Sequence, residues 1–285
     1  MLAPLTVSLE LDLSSHAYAT WSPGDHLAIR PTNAASDVEA AAIGLGLFDE
    51  LDVPYVVVSE DPSRISSPTP PVTTPRQVLE KIADLGARPS YYAVAALYYR
   101  LPEAARLGPS GLRLNALIEA GEGAFTEYSW DAGLTWSRVF GAFECLAGGN
   151  VDFGSFLQLT SPIAPRFYSM SSVQNGFVGS PPRATVTVSR LAYRATKDQS
   201  PRYGLCSSYC ARLRPGMIVE AKVEPVASFR PPVRPTSNVL LIGAGTGIAP
   251  FRAFWQELRR RRERENLKTG EALLVVGART KNAVL

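Results

Sequence analysis

The stretch that decides the fold is Asn238-Val239-Leu240-Leu241-Ile242-Gly243-Ala244-Gly245-Thr246-Gly247-Ile248-Ala249-Pro250-Phe251-Arg252. Its apolar run Val239–Ile242, rich in branched side chains, predicts a buried parallel strand. Three glycines follow at every second position, and an arginine-rich segment of helical character, Ala249–Asn266, comes next. Glycines let backbone N–H groups approach an anion closely, and a helix N-terminus adds partial positive charge. The order strand, glycine turn, helix therefore predicts a phosphate-binding turn.

The type of phosphate site can be narrowed from the same stretch. It contains no Gly-Lys-Ser or Gly-Lys-Thr, which excludes the phosphate loop of nucleotide hydrolases. The first two glycines fit a dinucleotide fingerprint, whereas Gly247 comes too early for Gly-x-Gly-x-x-Gly. Pro250 falls in the predicted first helical turn, where a missing N–H costs nothing. This stretch alone does not exclude the alternative interpretation, a plain strand-to-helix turn in which the glycines are needed only for steric reasons.

Length, composition and charge limit the classes of protein to which the chain can belong. A chain of 285 residues with 46% hydrophobic residues can bury a sizeable core and predicts two domains. The net charge of +3 argues against a nucleic-acid surface, and the block Arg259–Arg262 indicates a solvated helix face rather than a docking patch. No apolar run is long enough to span a bilayer, and no secretory signal opens the chain.

The cysteines and histidines predict no metal site. Cys145, Cys206 and Cys210 lack the paired spacing of zinc ligands, and the chain has only two histidines. An odd number of cysteines without a signal peptide indicates reduced thiols, and hence a cytoplasmic protein.

The first part of the chain predicts antiparallel β structure. Thr6–Leu13 alternates polar and apolar residues, as in a half-buried strand. The turn Trp21–His26 leads into a second strand, Leu27–Pro31, which favours an antiparallel barrel. Asp37–Leu47 is rich in alanine and predicts a helix, and Val53–Val58 predicts another strand.

A helical insertion follows over about residues 74–150. Thr74 is expected to cap a helix whose first position is Pro75. The segment Pro89–Phe143 is mostly helical in pattern, and its tyrosines are expected in the core rather than against a cofactor. They are Tyr91, Tyr92, Tyr98 and Tyr99.

The second informative stretch is Arg166-Phe167-Tyr168-Ser169-Met170-Ser171-Ser172. An arginine and a tyrosine two residues apart on a strand point to the same side. The guanidinium of Arg166 suits a phosphate, the ring of Tyr168 suits a planar heterocycle, and the serines supply small hydrogen-bonding groups. The alternative is an ordinary exposed strand.

A second anion site is predicted where a short helix begins. The alternating strand Thr185–Leu191 comes first, and Gly204 with the hydroxyls of Ser207 and Ser208 then opens the helix. The proline-rich segment Pro225–Pro235 is expected to be a stiff linker and the domain boundary.

Taken together, these residues resemble the diflavin reductases, which share the ferredoxin–NADP⁺ reductase type of fold. The motifs that carry the resemblance are Pro23–Ile29 with Pro31 and Asn33, Arg166–Ser172, Gly204–Tyr209 and Gly243–Arg252. The resemblance implies a fold of α+β and α/β class. An antiparallel β-barrel FAD-binding domain with the helical insertion would cover residues 1–230, and the start of a parallel-sheet NADPH-binding domain, incomplete, would cover residues 236–285.

The resemblance also implies roles for single residues. Arg166 would bind FAD phosphate, Tyr168 would pack on the isoalloxazine ring, and Ser169 would act as the catalytic group, hydrogen-bonding near the reactive edge nitrogen. The residues implied for the two pyrophosphates are Cys206 and Ser207 for FAD, and Gly245, Thr246 and Gly247, with Arg252 nearby, for NADPH.

The implied activity is NADPH-dependent oxidoreduction, with a hydride passing from NADPH to FAD and electrons moving on to an FMN domain or a haem protein. Alternatives are an FAD-binding fragment with little turnover, or the reductase part of a sulfite reductase or a nitric-oxide-synthase-like enzyme. The chain departs from the family pattern in starting at the barrel, so FMN is expected on a separate or missing domain. Ala278 replaces a family cysteine, and we expect a piece truncated at the C-terminus, whose longer form could carry a membrane anchor elsewhere.

Overall fold

The computed structural model describes residues 5–14, 20–56, 72–174, 182–194, 196, 201–234, 236–264, 266 and 268–278, and the fold is given for those residues. The strands are β1 (Thr6–Asp12), β2 (His26–Ile29), β3 (Tyr55–Val56), β4 (Val72–Thr73), β5 (Arg166–Ser169), β6 (Arg183–Ser189), β7 (Ala192–Arg194), β8 (Pro201–Tyr203), β9 (Ala221–Glu224), β10 (Val239–Ala244) and β11 (Ala272–Gly277). The helices are α1 (Ala35–Gly44), α2 (Pro75–Lys81), α3 (Tyr91–Arg100), α4 (Glu103–Leu107), α5 (Pro109–Glu119), α6 (Gly121–Asp131), α7 (Trp136–Ala142), α8 (Phe153–Leu159), α9 (Leu205–Arg212) and α10 (Ala249–Arg264). Single 3₁₀ turns cover Phe48–Glu50, Glu144–Leu146 and Gly245–Ile248.

Antiparallel sheets form the first part of the fold. β2 lies between β5 and β9, with Leu27 opposite Tyr168 and Ile29 opposite Arg166. β1 pairs with β6, and an isolated bridge from Met170 to Val186 joins the end of β5 to β6. The antiparallel structure predicted from the alternating strands is therefore present. Helices α2–α8 are inserted between β4 and β5 in the chain, and the parallel pair, β10 and β11, comes after the antiparallel strands.

Two apolar cores hold the antiparallel sheets and the helices. One lies inside the helical block with α1 and is centred on fully buried side chains such as Phe125, Phe143 and Phe156. The other lies between the antiparallel strands and α9, and includes Met170 and Cys206. The second core fixes β5 and α9 against each other, and these elements carry the predicted flavin motifs.

Asn33 ties the helical block to the sheet. Its side-chain amide donates to the carbonyl oxygens of Leu79 and Ala83, each at 2.6 Å, and its backbone N–H donates to the Glu80 oxygen at 2.8 Å. Asn33 is 4% exposed, so these bonds satisfy groups that water cannot reach. The asparagine of the predicted early motif therefore has a structural role.

The helical block differs from the sequence prediction in two places. Tyr98 is buried, but Tyr92 and Tyr99 are 66% and 58% exposed, so placing all four tyrosines in the core was wrong for these two. They lie on the outer face of α3, which packs against its neighbours through the opposite face. The block also extends past residue 150, the predicted end of the insertion, to α8. The Asp152 carboxylate caps α8 by accepting from the Ser155 N–H at 2.8 Å.

Thr74 caps α2 as predicted, and its loss should be measurable. Its hydroxyl accepts from the Gln77 N–H, and the Gln77 side chain accepts from the Thr74 N–H, each at 3.2 Å, with Pro75 at the first helical position. Thr74→Ala removes one half of this capping box and should lower the free energy of unfolding by about 1 kcal/mol in urea titrations. Thr74→Ser is the matched control and should stay near wild type; an equal loss in both variants would contradict the capping role.

The parallel pair has a large uncovered face. β10 and β11 run in register from Val239 opposite Ala272 to Ala244 opposite Gly277, and no further strand pairs with them within the described residues. Leu240, Ile242 and Leu273 are each more than half exposed. Arg279 and Thr280, which follow Ala278, lie outside the described residues, as does Pro235 of the linker.

The arginine block of α10 is largely paired within the helix. Arg259 contacts Glu263 at 2.9 Å, and the buried Glu257 contacts both Arg260 at 2.9 Å and Arg261 at 2.8 Å. Within the part of the chain that is described, no helix is both long enough and apolar enough to cross a bilayer.

Candidate functional site

Arg166 and Tyr168 share one face of β5, as the period of a strand requires. The Arg166 guanidinium is exposed and donates to the Ala164 carbonyl oxygen at 2.8 Å, which holds it beside the strand. Tyr168 is half-buried and packs against the core shared with α9. Ser169 follows on the face that it shares with Phe167 by alternation, opposite His26 of β2. Its predicted role at the flavin edge stays a prediction.

The side chain of Cys206 packs behind Tyr168. The Cys206 side chain is 4% exposed, and its thiol donates to the Ile29 carbonyl oxygen at 3.9 Å, with Cys210, one helical turn away, and the Tyr168 hydroxyl as its other polar neighbours. The hydrogen bond from Cys210 lowers the pKa of the Cys206 thiol to about 7 against the opposing effect of burial, and Tyr168 adds to the lowering. Burial and the bond with Cys206 raise the pKa of Tyr168. Since its side chain is buried and its thiol is occupied, Cys206 could offer a ligand only its backbone, and its implied role at the FAD pyrophosphate stays a prediction.

The serines at the start of α9 have different surroundings. The Ser207 hydroxyl donates to the Gly204 carbonyl oxygen and accepts from the Leu191 N–H, both at 3.1 Å. This pairing fixes the helix start against the β6–β7 connection and leaves Ser207 a weaker hydroxyl donor than predicted. The Ser208 hydroxyl is buried without a hydrogen-bond partner among the described residues. An unsatisfied hydroxyl at a helix start suits an additional acceptor from outside the chain.

Two arginines that the sequence reasoning did not single out lie near this helix. The Arg88 guanidinium carbon is 3.3 Å from the centre of the Trp130 ring, and that of Arg190 is 4.5 Å from the centre of the Tyr203 ring. Their Nε atoms are buried and without a partner in the described structure. Burial lowers the pKa of Arg88. Stacking on aromatic rings leaves the N–H edges of a guanidinium free for an anion.

The turn that carries Arg88 lies close to both Arg166 and α9. The pKa of the Asp84 carboxyl is raised, because its burial outweighs the opposing effect of the nearby Arg166 charge. A Cβ on Gly86 would be 3.7 Å from the Leu205 Cβ. The helical insertion therefore contributes to one end of the site, and no local sequence signal marks this because the partners are far apart along the chain.

The glycine turn has the predicted form. β10 leads into the 3₁₀ turn Gly245–Ile248, and α10 begins directly after it. A Cβ on Gly243 would lie 2.9 Å from the Phe251 ring and 3.1 Å from the Gly247 oxygen, and Gly245 has a φ of +51°. A Cβ on Gly247 would meet nothing within 4 Å. Close packing thus requires a glycine at position 243, and the backbone conformation favours one at position 245. Gly247 leaves open space in front of the turn.

Arg252 connects the glycine turn to the end of the β5 motif. Its Nη1 donates to the Ser171 carbonyl oxygen at 2.9 Å and to the Thr185 hydroxyl at 3.1 Å. One turn further along α10, the Gln256 side chain accepts from the Val173 N–H at 3.0 Å. The two motifs that the sequence suggested separately are therefore hydrogen-bonded to each other.

A groove beside the parallel pair lies at the end of the sheet opposite to the one where a nucleotide would bind. Its volume is about 1330 Å³, and it is lined by Leu240, Trp255, Arg262, Lys268 and neighbouring residues. It lies beside the strand starts, whereas ligands of parallel sheets bind beyond the carboxyl ends of the strands. The glycine turn is at that carboxyl end.

The residues present fit the cofactors that the sequence implies. Arg88, Arg166 and Arg190 supply cationic donors, the tyrosines supply ring faces, and the partnerless Ser208 hydroxyl and arginine Nε atoms supply unmet donors. A phosphorylated compound with a planar ring system matches this donor set. No group of His, Cys, Asp and Glu side chains that could hold a metal ion occurs among the described residues.

Two family models and curated relatives match the chain. Residues 5–209 match the family model described as the FAD binding domain, and residues 241–285 match that of the oxidoreductase NAD-binding domain. The chain is 30% identical over 286 residues to nitric oxide synthase 3 of Sus scrofa, covering 96% of the chain and 23% of that protein. It is 28% identical to inducible nitric oxide synthase of Mus musculus, over 96% of the chain and 23% of that protein. The chain therefore spans under a quarter of the length of these two relatives.

Proposed function

The chain belongs to the FAD binding domain family, followed by an oxidoreductase NAD-binding domain, and from that premise we propose that it moves a hydride from NADPH to FAD. FAD and a nicotinamide dinucleotide are the cofactors of these two domains. The observation that carries the proposal is the direct bonding of Arg252, next to the glycine turn, to Ser171 and Thr185, next to the β5 motif. This contact places the two predicted cofactor motifs side by side, which a transfer between cofactors requires.

The flavin side is proposed to use the face of β5 that carries Arg166 and Tyr168, Ser169 at the end of that strand, and the start of α9. Arg166 would pair with FAD phosphate, and Tyr168 would lie on the isoalloxazine ring with Cys206 behind it. The α9 backbone from Cys206 would contact the pyrophosphate, with Ser207 fixing the helix start and Ser169 reaching the reactive edge. The exposed Arg166 guanidinium and the half-buried Tyr168 ring support this arrangement.

The nucleotide side is proposed to use the glycine turn. The backbone of Gly245, Thr246 and Gly247 would cradle the NADPH pyrophosphate, and Arg252 would add a charged donor. The open space in front of Gly247 and the helix that begins at Ala249 support this role.

Bound FAD supplies the chemistry, accepting a hydride and releasing electrons one at a time. The protein supplies distance and orientation: Tyr168 excludes water from one side of the site, and the Arg252 contacts hold the nucleotide turn against the flavin strand. Arg88 and Arg190 would add positive charge around the phosphates.

The electrons are proposed to pass to an FMN domain or protein and from there to a haem protein. The relatives named nitric oxide synthase favour the synthase-like reductase among the alternatives. An FAD-binding piece with little turnover is the second candidate, and the uncovered apolar face of β10 and β11 favours it.

We also propose the finer architecture and location. The antiparallel strands would close into a barrel, which the Met170–Val186 bridge between two sheets supports. The FAD domain would cover residues 1–230 and the nucleotide domain residues 236–285, with the boundary in the proline-rich linker. The three free cysteines support a cytoplasmic location.

An absorption spectrum of the purified chain tests the function directly. The chain should bind FAD and give a visible flavin band, and anaerobic NADPH should bleach that band. A flavin band that NADPH leaves unchanged would favour the piece with little turnover. A chain that takes up no added FAD would overturn both candidates.

The flavin assignment has its own test in Arg166→Ala. Loss of a charge-assisted hydrogen bond worth roughly 1.5–3 kcal/mol should weaken FAD binding roughly ten- to hundredfold, measured by equilibrium dialysis. Arg183→Ala is the matched control, because Arg183 is an exposed arginine on β6 that pairs with Glu10. Equal FAD affinity in the two variants would refute the role of Arg166.

A further inference from the structure

The hydrogen bonds of Arg252 use only part of its guanidinium. Among the described residues its contacts run through Nη1, to the Ser171 oxygen and the Thr185 hydroxyl. We propose that Thr185 is a positioning residue that anchors Nη1 of Arg252 and thereby presents the remaining N–H groups to the pyrophosphate of the nicotinamide dinucleotide. This inference rests on the proposed function, because it deepens the role given there to Arg252.

Thr185 is held firmly enough to serve as an anchor. It is 9% exposed, its N–H donates to the Ser172 hydroxyl at 2.9 Å, and its carbonyl oxygen accepts from the Ser171 N–H at 2.7 Å. Its hydroxyl lies 2.9 Å from the Ser171 hydroxyl. Because the Thr185 hydroxyl oxygen accepts a hydrogen bond from Arg252, the proton of the same hydroxyl can be donated to the Ser171 hydroxyl. Every polar group of Thr185 is therefore directed by a neighbour.

The anchor matters because a free arginine side chain is costly to order. A long side chain loses up to about 2 kcal/mol of conformational freedom when it is fixed, and its planar donors must then match the phosphate. An arginine already fixed at one nitrogen has lost part of that freedom before the ligand arrives. The neutral acceptors at Ser171 and Thr185 also leave its positive charge uncompensated, so it remains attractive to an anion.

A second contact on the same helix face provides a matched comparison. Gln256 lies one turn after Arg252 and accepts from the Val173 N–H at 3.0 Å. It ties α10 to the same segment, and among the described residues it makes no hydrogen bond to Arg252 or Thr185. Removing the Gln256 side chain should disturb the packing of α10 against this segment but keep the hydrogen bond between Arg252 and Thr185.

The experiment measures binding of NADP⁺ and of inorganic pyrophosphate to the full FAD-loaded chain by calorimetry. Thr185→Val keeps the side-chain shape and removes the hydroxyl, and it should weaken both ligands roughly three- to tenfold, as loss of one hydrogen bond to an orienting group would. Thr185→Ser should restore wild-type binding. Arg252→Ala should weaken both ligands more strongly, and adding Thr185→Val to it should have no further effect. Gln256→Ala should leave pyrophosphate binding within about twofold of wild type.

The outcomes separate this inference from the proposed function. Unchanged binding in Arg252→Ala would remove Arg252 from the proposed phosphate site. A loss in Arg252→Ala without any loss in Thr185→Val, or a loss in Thr185→Val that persists in the Arg252→Ala background, would overturn the anchor. If Thr185→Val fails to fold, Thr185→Ala in the same cycle gives the same comparison, with FAD content as the measure of folding.

Discussion

Gly24→Ala should lower the free energy of unfolding by about 3–5 kcal/mol, the sum of a conformational cost and a steric one. Gly24 has a φ of +100°, a conformation that L side chains rarely adopt. A Cβ at this position would lie 1.7 Å from the Phe229 carbonyl oxygen, which is backbone and cannot rotate away. The linker residue Phe229 would have to move, and its ring, 5.0 Å from the Phe254 ring of α10, would move with it.

Gly216→Ala separates the two costs. Gly216 has a φ of +89°, close to that of Gly24, but a Cβ there would meet nothing within 4 Å. It should therefore show only the conformational part, about 1–2 kcal/mol. Urea unfolding of both variants measures the difference. Similar losses in the two would mean that the Phe229 carbonyl accommodates a side chain at position 24, and that the turn and linker are not held as closely as the structure shows.

Elements with strong local signals were predictable from the sequence. The glycine turn and α10 follow from a local pattern of an apolar run, closely spaced glycines and a proline at a helix start. The cap at Thr74 follows in the same way, because a threonine, a proline and a glutamine within four positions satisfy the helix start locally. The face shared by Arg166 and Tyr168 follows from the period of a strand.

Contacts between distant segments could not be predicted in this way. Trp130 on the insertion stacks on Arg88, and neither residue carries a pattern that indicates the other. Tyr92 and Tyr99 have the same residue type as the buried Tyr98, and only the packing of α3 decides which of them faces solvent. Tertiary packing, rather than local preference, decides these positions.

Arg252 shows how a resemblance can place a residue without giving its contacts. The motif predicted it near a pyrophosphate, which stays a prediction, and the structure puts it in the first turn of α10. The structure adds the bonds to Ser171 and Thr185, which depend on how α10 lies against β6. No pattern within the glycine stretch could indicate an acceptor that lies so far back along the chain.

Asp25→Asn should lower the free energy of unfolding by about 2–3 kcal/mol at neutral pH, because it removes the charge of a buried carboxylate that three donors surround. Asp25 is 4% exposed and accepts from Arg230 at 2.5 Å, from the Val226 N–H at 2.9 Å and from the Ser22 N–H at 2.7 Å. The Arg230 and Val226 bonds share Oδ1, so an asparagine oxygen could keep them. Its amide nitrogen would then face the Ser22 N–H, donor against donor. Asp25→Ala loses all three bonds and should cost more, about 3–5 kcal/mol.

The loss in Asp25→Asn should also depend on pH in a defined direction. Burial raises the pKa of the Asp25 carboxyl, but the Ser22 and Val226 N–H groups and Arg230 outweigh it and hold that pKa below its usual range. In the unfolded chain the pKa returns to about 3.9. A carboxyl with a depressed folded pKa contributes its full stability above the unfolded value and loses it as the pH falls through the folded value. Urea titrations from pH 7 to pH 3 should therefore show a constant gap between wild type and Asp25→Asn above about pH 5, and a narrowing gap below about pH 4. A gap that stays constant down to pH 3, or widens there, would mean that the Asp25 charge is not what holds this turn to the linker.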